Sequence, residues 1–164
     1  HDYWFGAYLR DAVGIRIVPD DLMVSHQGRT ILMHHGDGLY PDDHGYRLLK
    51  RIIRNPLVVR AFSWLHPNIA WRIAMLTSKT SRQYLAPPPS KADRAISLFR
   101  DIADDRLGAD LDAVVYGHTH VPLVEERESG TLVLLGDWIA HRTFVLLENG
   151  TFTLHSAPED TAHD

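Results

Sequence analysis

Residues 30–38 read TILMHHGDG, and residues 111–120 read LDAVVYGHTH. Each stretch is a short apolar run that ends in a turn built from glycine and histidine. Such a run predicts a strand that is buried on both faces. The polar residues directly after each run are expected at the carboxyl edge of a sheet, which is where α/β folds bind their ligands.

The rest of the chain alternates between strand and helix patterns. Runs of apolar residues, some alternating with polar ones, predict further strands at Ile15–Val18, Leu22–Val24, Val121–Glu125 and Leu132–Leu135. The Asn149-Gly150 pair predicts a hairpin turn that joins a strand at 144–147 to a strand at 152–154. Helical spacing predicts helices from Tyr46 to Arg54, from Leu57 to Leu65 and from Ile69 to Met75, and one capped by Ser90 that runs to about Arg106. The predicted fold class is α/β (α+β layered), with a two-sheet β core flanked by helices.

The composition excludes several classes of protein. The chain has 164 residues, enough for a sizeable core, and no cysteine. A disulfide scaffold, a Cys-ligated zinc site, an iron–sulfur cluster and a thiol nucleophile are therefore excluded for this chain. It contains no uncharged apolar window long enough to span a bilayer.

The net charge of −4 is unevenly distributed. Residues 44–92 contain no Asp or Glu and nine of the 17 Lys and Arg residues, which leaves 8 basic and 21 acidic residues elsewhere. This asymmetry predicts a basic segment that meets an anionic partner, while the acidic remainder argues against nucleic acid. A solvated basic helix face explains the same pattern, and charge alone does not separate the two.

Histidine placement is the most informative chemical feature. Glycine permits a sharp turn, and the pair His118 and His120 can direct two imidazoles into one cavity. Together with His35 and Asp37 they form a donor set that suits Zn, Mn or Fe. The alternative is a group of strand-end histidines that hydrogen-bond carboxylates.

These motifs resemble the last three motifs of the calcineurin-like metallophosphoesterases, GNH(D/E), H and GHxH. The matching residues are His1-Asp2, His35-Gly36-Asp37 and Gly117-His118-Thr119-His120. The two earlier motifs of that family, DxH and GDxxD, have no counterpart here: the DxH spacing occurs only at Asp42-Asp43-His44, after the HGD motif and so out of the family's order, and GDxxD does not occur in the chain. The resemblance therefore implies that residues 1–164 form the C-terminal portion of one such domain, and we expect its N-terminal part before residue 1.

Within that family the chain is most similar to the UDP-2,3-diacylglucosamine pyrophosphatases of lipid A synthesis. They carry HGD followed by DDxxY, then a basic helical insertion, and GDW after GHTH. The corresponding residues here are 35–37, 42–46, the basic helical lid 44–89, and 136–138.

The resemblance implies a two-metal site. His35 and His118 would bind the second ion and His120 the first, with Mn²⁺ expected and Zn²⁺ or Fe²⁺ as alternatives. The ions would polarise phosphoryl oxygens and activate water. His1 would neutralise the phosphoryl group or protonate the leaving oxygen, with Asp2 fixing its tautomer; the alternative for His1 is a terminal residue without a role.

The resemblance also implies substrate contacts. Asp43 and Tyr46 would contact the sugar, although a helix-capping carboxylate and a core tyrosine would match the same pattern. Ser81 retains the serine of the RxxS motif of the family, but Ser78 replaces its arginine, so Lys79 and Arg82 are the candidate substitutes. Many relatives have Arg where this chain has His1, a second departure that concerns substrate recognition.

Two groups of side chains in the lid, one basic and one apolar, could contact an amphiphilic substrate. Four basic residues would face diphosphate or anionic headgroups, and an apolar wall would face acyl chains, unless the latter only packs the helices. The basic residues are Arg47, Lys50, Arg51 and Arg54; the apolar residues are Leu57, Val58, Phe62, Trp64 and Leu65. Asp137 and Trp138 are expected to support the GHTH turn.

The implied reaction is hydrolysis of the pyrophosphate of a UDP-linked acylated glucosamine to UMP and a lipid sugar phosphate. It implies a nucleotide-linked glycolipid substrate, an anionic membrane surface as partner, and a peripheral location on the cytoplasmic face of the inner membrane. Two alternatives remain: a metallophosphodiesterase or nucleotidase for soluble substrates, and a metal-binding or membrane-docking module without turnover.

Overall fold

A computed structural model of the chain describes residues 7–40, 44–73, 75, 89–108 and 110–158, with the backbone alone at 46 and 89–91. The chain divides into two compact units. The helical unit comprises His1–Pro19 and Gly38–Pro89, and the sheet unit comprises Asp20–Asp37 and Ser90–Asp164.

The helical unit contains short amphipathic helices. They are α1 (Tyr8–Asp11), α2 (His44–Ile53) and α3 (Pro56–Ser63), followed by helical backbone at residues 67–73. Asn55 begins α3, because its Oδ1 accepts a hydrogen bond from the Leu57 amide at 2.9 Å and Pro56 occupies the first turn, where no amide hydrogen is needed. No helix in the described ranges is both long and apolar enough to cross a membrane.

The sheet unit is built on five strands. They are β1 (Leu22–His26), β2 (Arg29–His34), β3 (Ala113–Tyr116), β4 (Pro122–Arg127) and β5 (Gly130–Leu135), in the spatial order β1-β2-β3-β5-β4. The three central strands are parallel, and the two edge strands pair antiparallel to them. In the register, His34 lies opposite Tyr116, and Tyr116 lies opposite Leu134. The parallel strands therefore end at one edge of the sheet.

One face of this sheet packs against a hairpin. The hairpin strands are β6 (Thr143–Glu148) and β7 (Thr151–Ser156), joined at Asn149-Gly150. A buried cluster of Ile31, Ala113, Val115 and Val133 from the sheet meets Phe152 of the hairpin. Burial of these alternate residues from water stabilises the pairing of the two layers.

The opposite face of the sheet carries α4 (Pro89–Arg106). Its buried residues Ala95, Phe99 and Ala103 recur every four positions, so they form one stripe along the helix. The Phe99 ring lies 4.9 Å from the ring of the fully buried Tyr116. Arg100, the next residue of α4, donates a hydrogen bond to the Glu125 carboxylate on β4, and this bond lowers the pKa of Glu125.

These observations confirm the predicted layered α/β architecture and the predicted hairpin. The strand predicted at Ile15–Val18 is wrong: residues 14–18 have no regular secondary structure. An alternating apolar pattern forms a strand only when a neighbouring backbone accepts its hydrogen bonds, and no described strand pairs with this segment. The helix predicted to be capped by Ser90 begins at Pro89, so Ser90 lies inside its first turn and is not the cap. The lid remains a prediction, since residues 74 and 76–88 lie outside the described residues.

Candidate functional site

Three motifs meet at the carboxyl edge of the parallel strands. The HGD turn follows β2, the GHTH turn follows β3, and Gly136-Asp137-Trp138 follows β5. The strands end in register, so the sheet brings together turns that are up to about a hundred residues apart in the chain. This edge is the candidate site.

The HGD and GHTH turns are hydrogen-bonded to each other. The Gly117 amide donates to the His35 carbonyl at 3.1 Å. The His35 and His118 rings lie edge to face, with their centroids 5.2 Å apart. Asp37, which follows in the HGD turn, is 6% exposed and contributes negative potential at His118. Two imidazoles are thus adjacent at this point, and the HGD turn also carries a buried carboxylate.

Gly36 is required by the close approach of these turns. Its φ of +97° is one that side chains rarely adopt, and a Cβ there would lie 3.2 Å from Cζ of Phe99 and 3.4 Å from Cβ of His118. Any larger residue would have to displace the core ring beneath the turn. Glycine therefore lets the HGD turn lie directly on Phe99.

The GHTH turn holds two histidines in left-handed backbone conformation. His118 has φ +60° and His120 has φ +56°. For residues other than glycine this conformation is uncommon, and strain of this kind occurs at functional sites. The Val121 amide donates to Oγ1 of Thr119 at 3.3 Å, which ties the end of the turn to its middle.

His118 is held in its neutral form. Its pKa is lowered to about 4, first by burial and then by the neighbouring His35 and His120, while Asp37 opposes the shift. At neutral pH the ring carries no charge, which is the form in which histidine ligates metal ions.

Asp137 organises its own turn. Its Oδ1 accepts hydrogen bonds from the amides of Ile139 and Ala140, and its Oδ2 contacts Nδ1 of His141. These contacts hold the pKa of Asp137 far below its usual range. None of these partners belongs to the GHTH turn. The expectation that Asp137 supports that turn therefore stays a prediction. The turn presents Trp138, 65% exposed, and Ile139, 90% exposed, at the same sheet edge.

The other predicted site residues are only partly covered by the structure. His1, Asp2, Asp43, Lys79, Ser81 and Arg82 lie outside the described residues, and for Tyr46 only the α2 backbone is described. His35 and His120 are exposed, whereas His118 is half-buried. The structure thus brings His35 and His118 together, and the assigned roles remain predictions.

The donor chemistry of this edge fits a divalent metal ion. Imidazole and carboxylate ligands suit Mn, Zn and Fe, and His118 is already neutral. Within the described ranges, however, no group of three or more His, Asp or Glu side chains is placed to hold an ion. The pair His35 and His118 is fewer than the three or four protein ligands of a zinc site.

Two contributors to this edge were missed or underestimated from the sequence. Because side chains alternate along a strand, the sequence predicts that His34 points to the face opposite His35 and is structural, yet its Nδ1 accepts a hydrogen bond from the Gly36 amide. Phe99 lies some sixty residues away in the chain, and no pattern in the sequence connects it with the HGD turn. Its four-residue spacing with Ala95 and Ala103 could have identified it as a core residue but not as the support of this turn.

Comparisons with known proteins identify relatives of this chain. No family model matches the chain. A protein of Yersinia pestis named "UDP-2,3-diacylglucosamine hydrolase" is 29% identical over 142 residues, covering 84% of this chain and 58% of the relative. A protein of the same name from Stenotrophomonas maltophilia (strain K279a) is 29% identical over 164 residues, covering 93% of this chain and 65% of the relative.

The chain thus spans about 58% to 65% of the length of these curated relatives. The relatives are named as hydrolases, and the match includes most of the chain. The resemblance inferred from the motifs is confirmed: over most of its length, this chain is similar in sequence to the UDP-2,3-diacylglucosamine hydrolases.

Proposed function

We propose that the protein containing this chain is a metal-dependent hydrolase that cleaves the pyrophosphate of a UDP-linked acylated glucosamine. Water adds across the phosphorus–oxygen–phosphorus link, so the products are UMP and a lipid sugar phosphate. The observation that carries this proposal is the alignment of the HGD and GHTH turns at one sheet edge, with the rings of His35 and His118 5.2 Å apart. The names of the relatives support the substrate class.

In this proposal His35, His118 and His120 contribute metal ligands, and the remaining ligands come from outside the described residues. Two divalent ions, with Mn²⁺ expected, would polarise the phosphoryl oxygens and activate the attacking water. Neutral His118 supports this role because a ring without a proton on its ligating nitrogen can donate a lone pair. His1, oriented by Asp2, is proposed to protonate the leaving oxygen.

The helical unit supports a substrate with both charge and acyl chains. This unit exposes large apolar side chains: Leu57 is 74% exposed, Trp64 83% and Trp71 66%. Between α2 and α3, an open cavity of about 410 Å³ is lined by Arg47, Lys50, Arg51, Arg54, Asn55 and Pro56. Exposed aromatic residues and clustered cations in one unit are typical of surfaces that meet anionic lipid. We therefore propose peripheral association with the cytoplasmic face of the inner membrane.

The test compares two substrates. The protein is expressed from its full reading frame, stripped with chelator and assayed with added Mn²⁺ on UDP-diacylglucosamine and on a soluble aryl phosphodiester. We expect Mn²⁺-dependent release of UMP and a strong preference for the lipid substrate. Equal rates on both would overturn the lipid assignment and favour a metallophosphodiesterase, and no hydrolysis of either would favour a binding module.

A matched pair of variants separates the site from the rest of the sheet. His118→Ala removes a proposed ligand, whereas His26→Ala removes an exposed histidine next to the opposite end of β2. We expect hydrolysis to be lost in the first variant and retained in the second. Equal losses in both variants would contradict a specific role for the GHTH turn.

A further inference from the structure

His34 stands at the junction between β2 and the HGD turn. Its side chain is 13% exposed, and its Nδ1 accepts a hydrogen bond from the Gly36 amide at 2.8 Å. The preceding strand pattern predicts that His34 points away from His35, so the sequence assigns it no part in the site. The hydrogen bond instead connects it directly to the turn.

The His34 ring is itself fixed by the core. It meets the ring of Tyr116 edge to face, with centroids 6.2 Å apart and planes at 76°. Tyr116 is fully buried and packs on Phe99, the ring that also lies under Gly36. Gly36 is therefore held from below by Phe99 and from the side by His34.

The hydrogen bond also defines the tautomer of the neutral ring. A backbone amide can only donate, so Nδ1 of His34 carries no proton and the neutral ring has its proton on Nε2. Nε2 lies 3.6 Å from Oδ1 of Asp21, a carboxylate that is also 3.6 Å from Arg106. The negative charge of Asp21 favours the proton on that side of the ring.

We infer that His34 is a positioning residue for the candidate site. By accepting the Gly36 amide hydrogen bond, His34 holds the HGD turn in its left-handed conformation. In this conformation of the turn the His35 ring lies beside His118, and the Asp37 side chain is buried. That the positioned His35 ring serves a metal site rests on the proposed function. That His34 positions the HGD turn does not.

The test uses the full chain without metal at pH 8, with ¹⁵N labelling. In the wild-type chain we expect His34 to carry its ring proton on Nε2, the Gly36 amide to exchange slowly with solvent, and the rings of His35 and His118 to show through-space proton contacts. A His34 proton on Nδ1 would overturn the inference even if no variant folded.

Two substitutions distinguish positioning from bulk packing. His34→Leu removes the acceptor, and we expect Gly36 exchange to accelerate about ten-fold, as for loss of one net hydrogen bond, with loss of the contact between the His35 and His118 rings. In His34→Asn, the Oδ1 atom takes the place of Nδ1, and both readouts should return close to wild type. The Val114 amide in β3 serves as the folding control and should be unaffected in both variants.

Metal binding provides a second readout. We expect Mn²⁺ affinity to fall about 10- to 100-fold in His34→Leu, as when an outer-shell partner of a metal ligand is lost, and to recover in His34→Asn. Unchanged Gly36 exchange in His34→Leu would overturn the positioning role. A wild-type chain with the expected spectra but no hydrolysis in its full-length protein would instead reject the proposed function and leave the positioning role intact.

Discussion

Gly36→Ala tests whether the HGD turn is pressed against the core. At φ +97° an added methyl would lie 3.2 Å from Cζ and 3.3 Å from Cε1 of Phe99. Forcing a residue with a Cβ into left-handed backbone costs about 1–2 kcal/mol, and overpacking a buried contact adds about 1–3 kcal/mol. We therefore expect the free energy of unfolding to fall by about 2–5 kcal/mol.

Gly28→Ala is the matched control. Gly28 has a similar backbone, with φ +77°, but an added Cβ would meet no atom within 4 Å. Only the backbone cost of about 1–2 kcal/mol should remain. The difference between the two variants isolates the contact with Phe99, because both glycines lie in the sheet unit and both changes add one methyl group.

The assay is equilibrium unfolding in urea, with the slope m compared between variants to ensure that the same transition is measured. Phe99→Leu in the Gly36→Ala background should recover part of the loss, which appears as a coupling energy in a double-mutant cycle. If Gly36→Ala destabilises the chain no more than Gly28→Ala does, the close packing of the HGD turn on Phe99 is refuted.

Three further predictions concern the site and the helical unit. His118→Ala should lower Mn²⁺ affinity more than about 100-fold, since it removes a ligand rather than an outer partner, while the unfolding midpoint stays near wild type; calorimetric titration and urea unfolding measure the two. The pKa of Asp137 is depressed on folding, so its stabilisation is complete above the unfolded value of about 4 and is lost as pH falls below it. Asp137→Asn should flatten that acid limb in thermal unfolding followed from pH 6 to pH 3. Reversing the charges at Arg47 and Arg51 should weaken binding to anionic vesicles in co-sedimentation, with the largest difference at low salt.

Each of these has a contradicting result. Calorimetric binding as tight in His118→Ala as in wild type would exclude the ring as a ligand. An acid limb equally steep in Asp137→Asn would show that another carboxylate is responsible. For the vesicle assay, reversal of Arg16 and Arg94, two exposed residues outside the acid-free stretch, is the charge-matched control; equal losses would reduce the effect to net charge.

Local pattern was sufficient for most of the fold. The apolar runs before the two histidine turns became β2 and β3, and the Asn149-Gly150 signal became the β6–β7 hairpin. These elements depend on side-chain period and turn chemistry, which a short window of sequence contains. The Ile15–Val18 strand failed because strand formation also requires a pairing partner, and that partner is a property of the tertiary fold.

The candidate site shows the same division. The residue types in HGD and GHTH indicated the relatives that the comparisons found. They also predict metal chemistry, because coordination chemistry depends on the ligands themselves, and this stays a prediction. The support beneath them was not visible: Phe99 comes from a helix far along the chain, and the acceptor role of His34 arises from a bend in the backbone after β2. The alternation rule applies to extended backbone and ends where the strand ends.

By itself, the sequence determined the chemical character of this protein: histidine turns after buried strands, an acid-free basic segment, and the resemblance to hydrolases of an acylated nucleotide sugar. Only the tertiary structure decided that the turns after β2 and β3 are hydrogen-bonded to each other, that burial keeps His118 neutral, and that His34 and Phe99 together hold Gly36. The physical reason is that distance, burial and hydrogen-bond partners depend on segments about eighty residues apart, which come into contact only when the parallel strands pair in register.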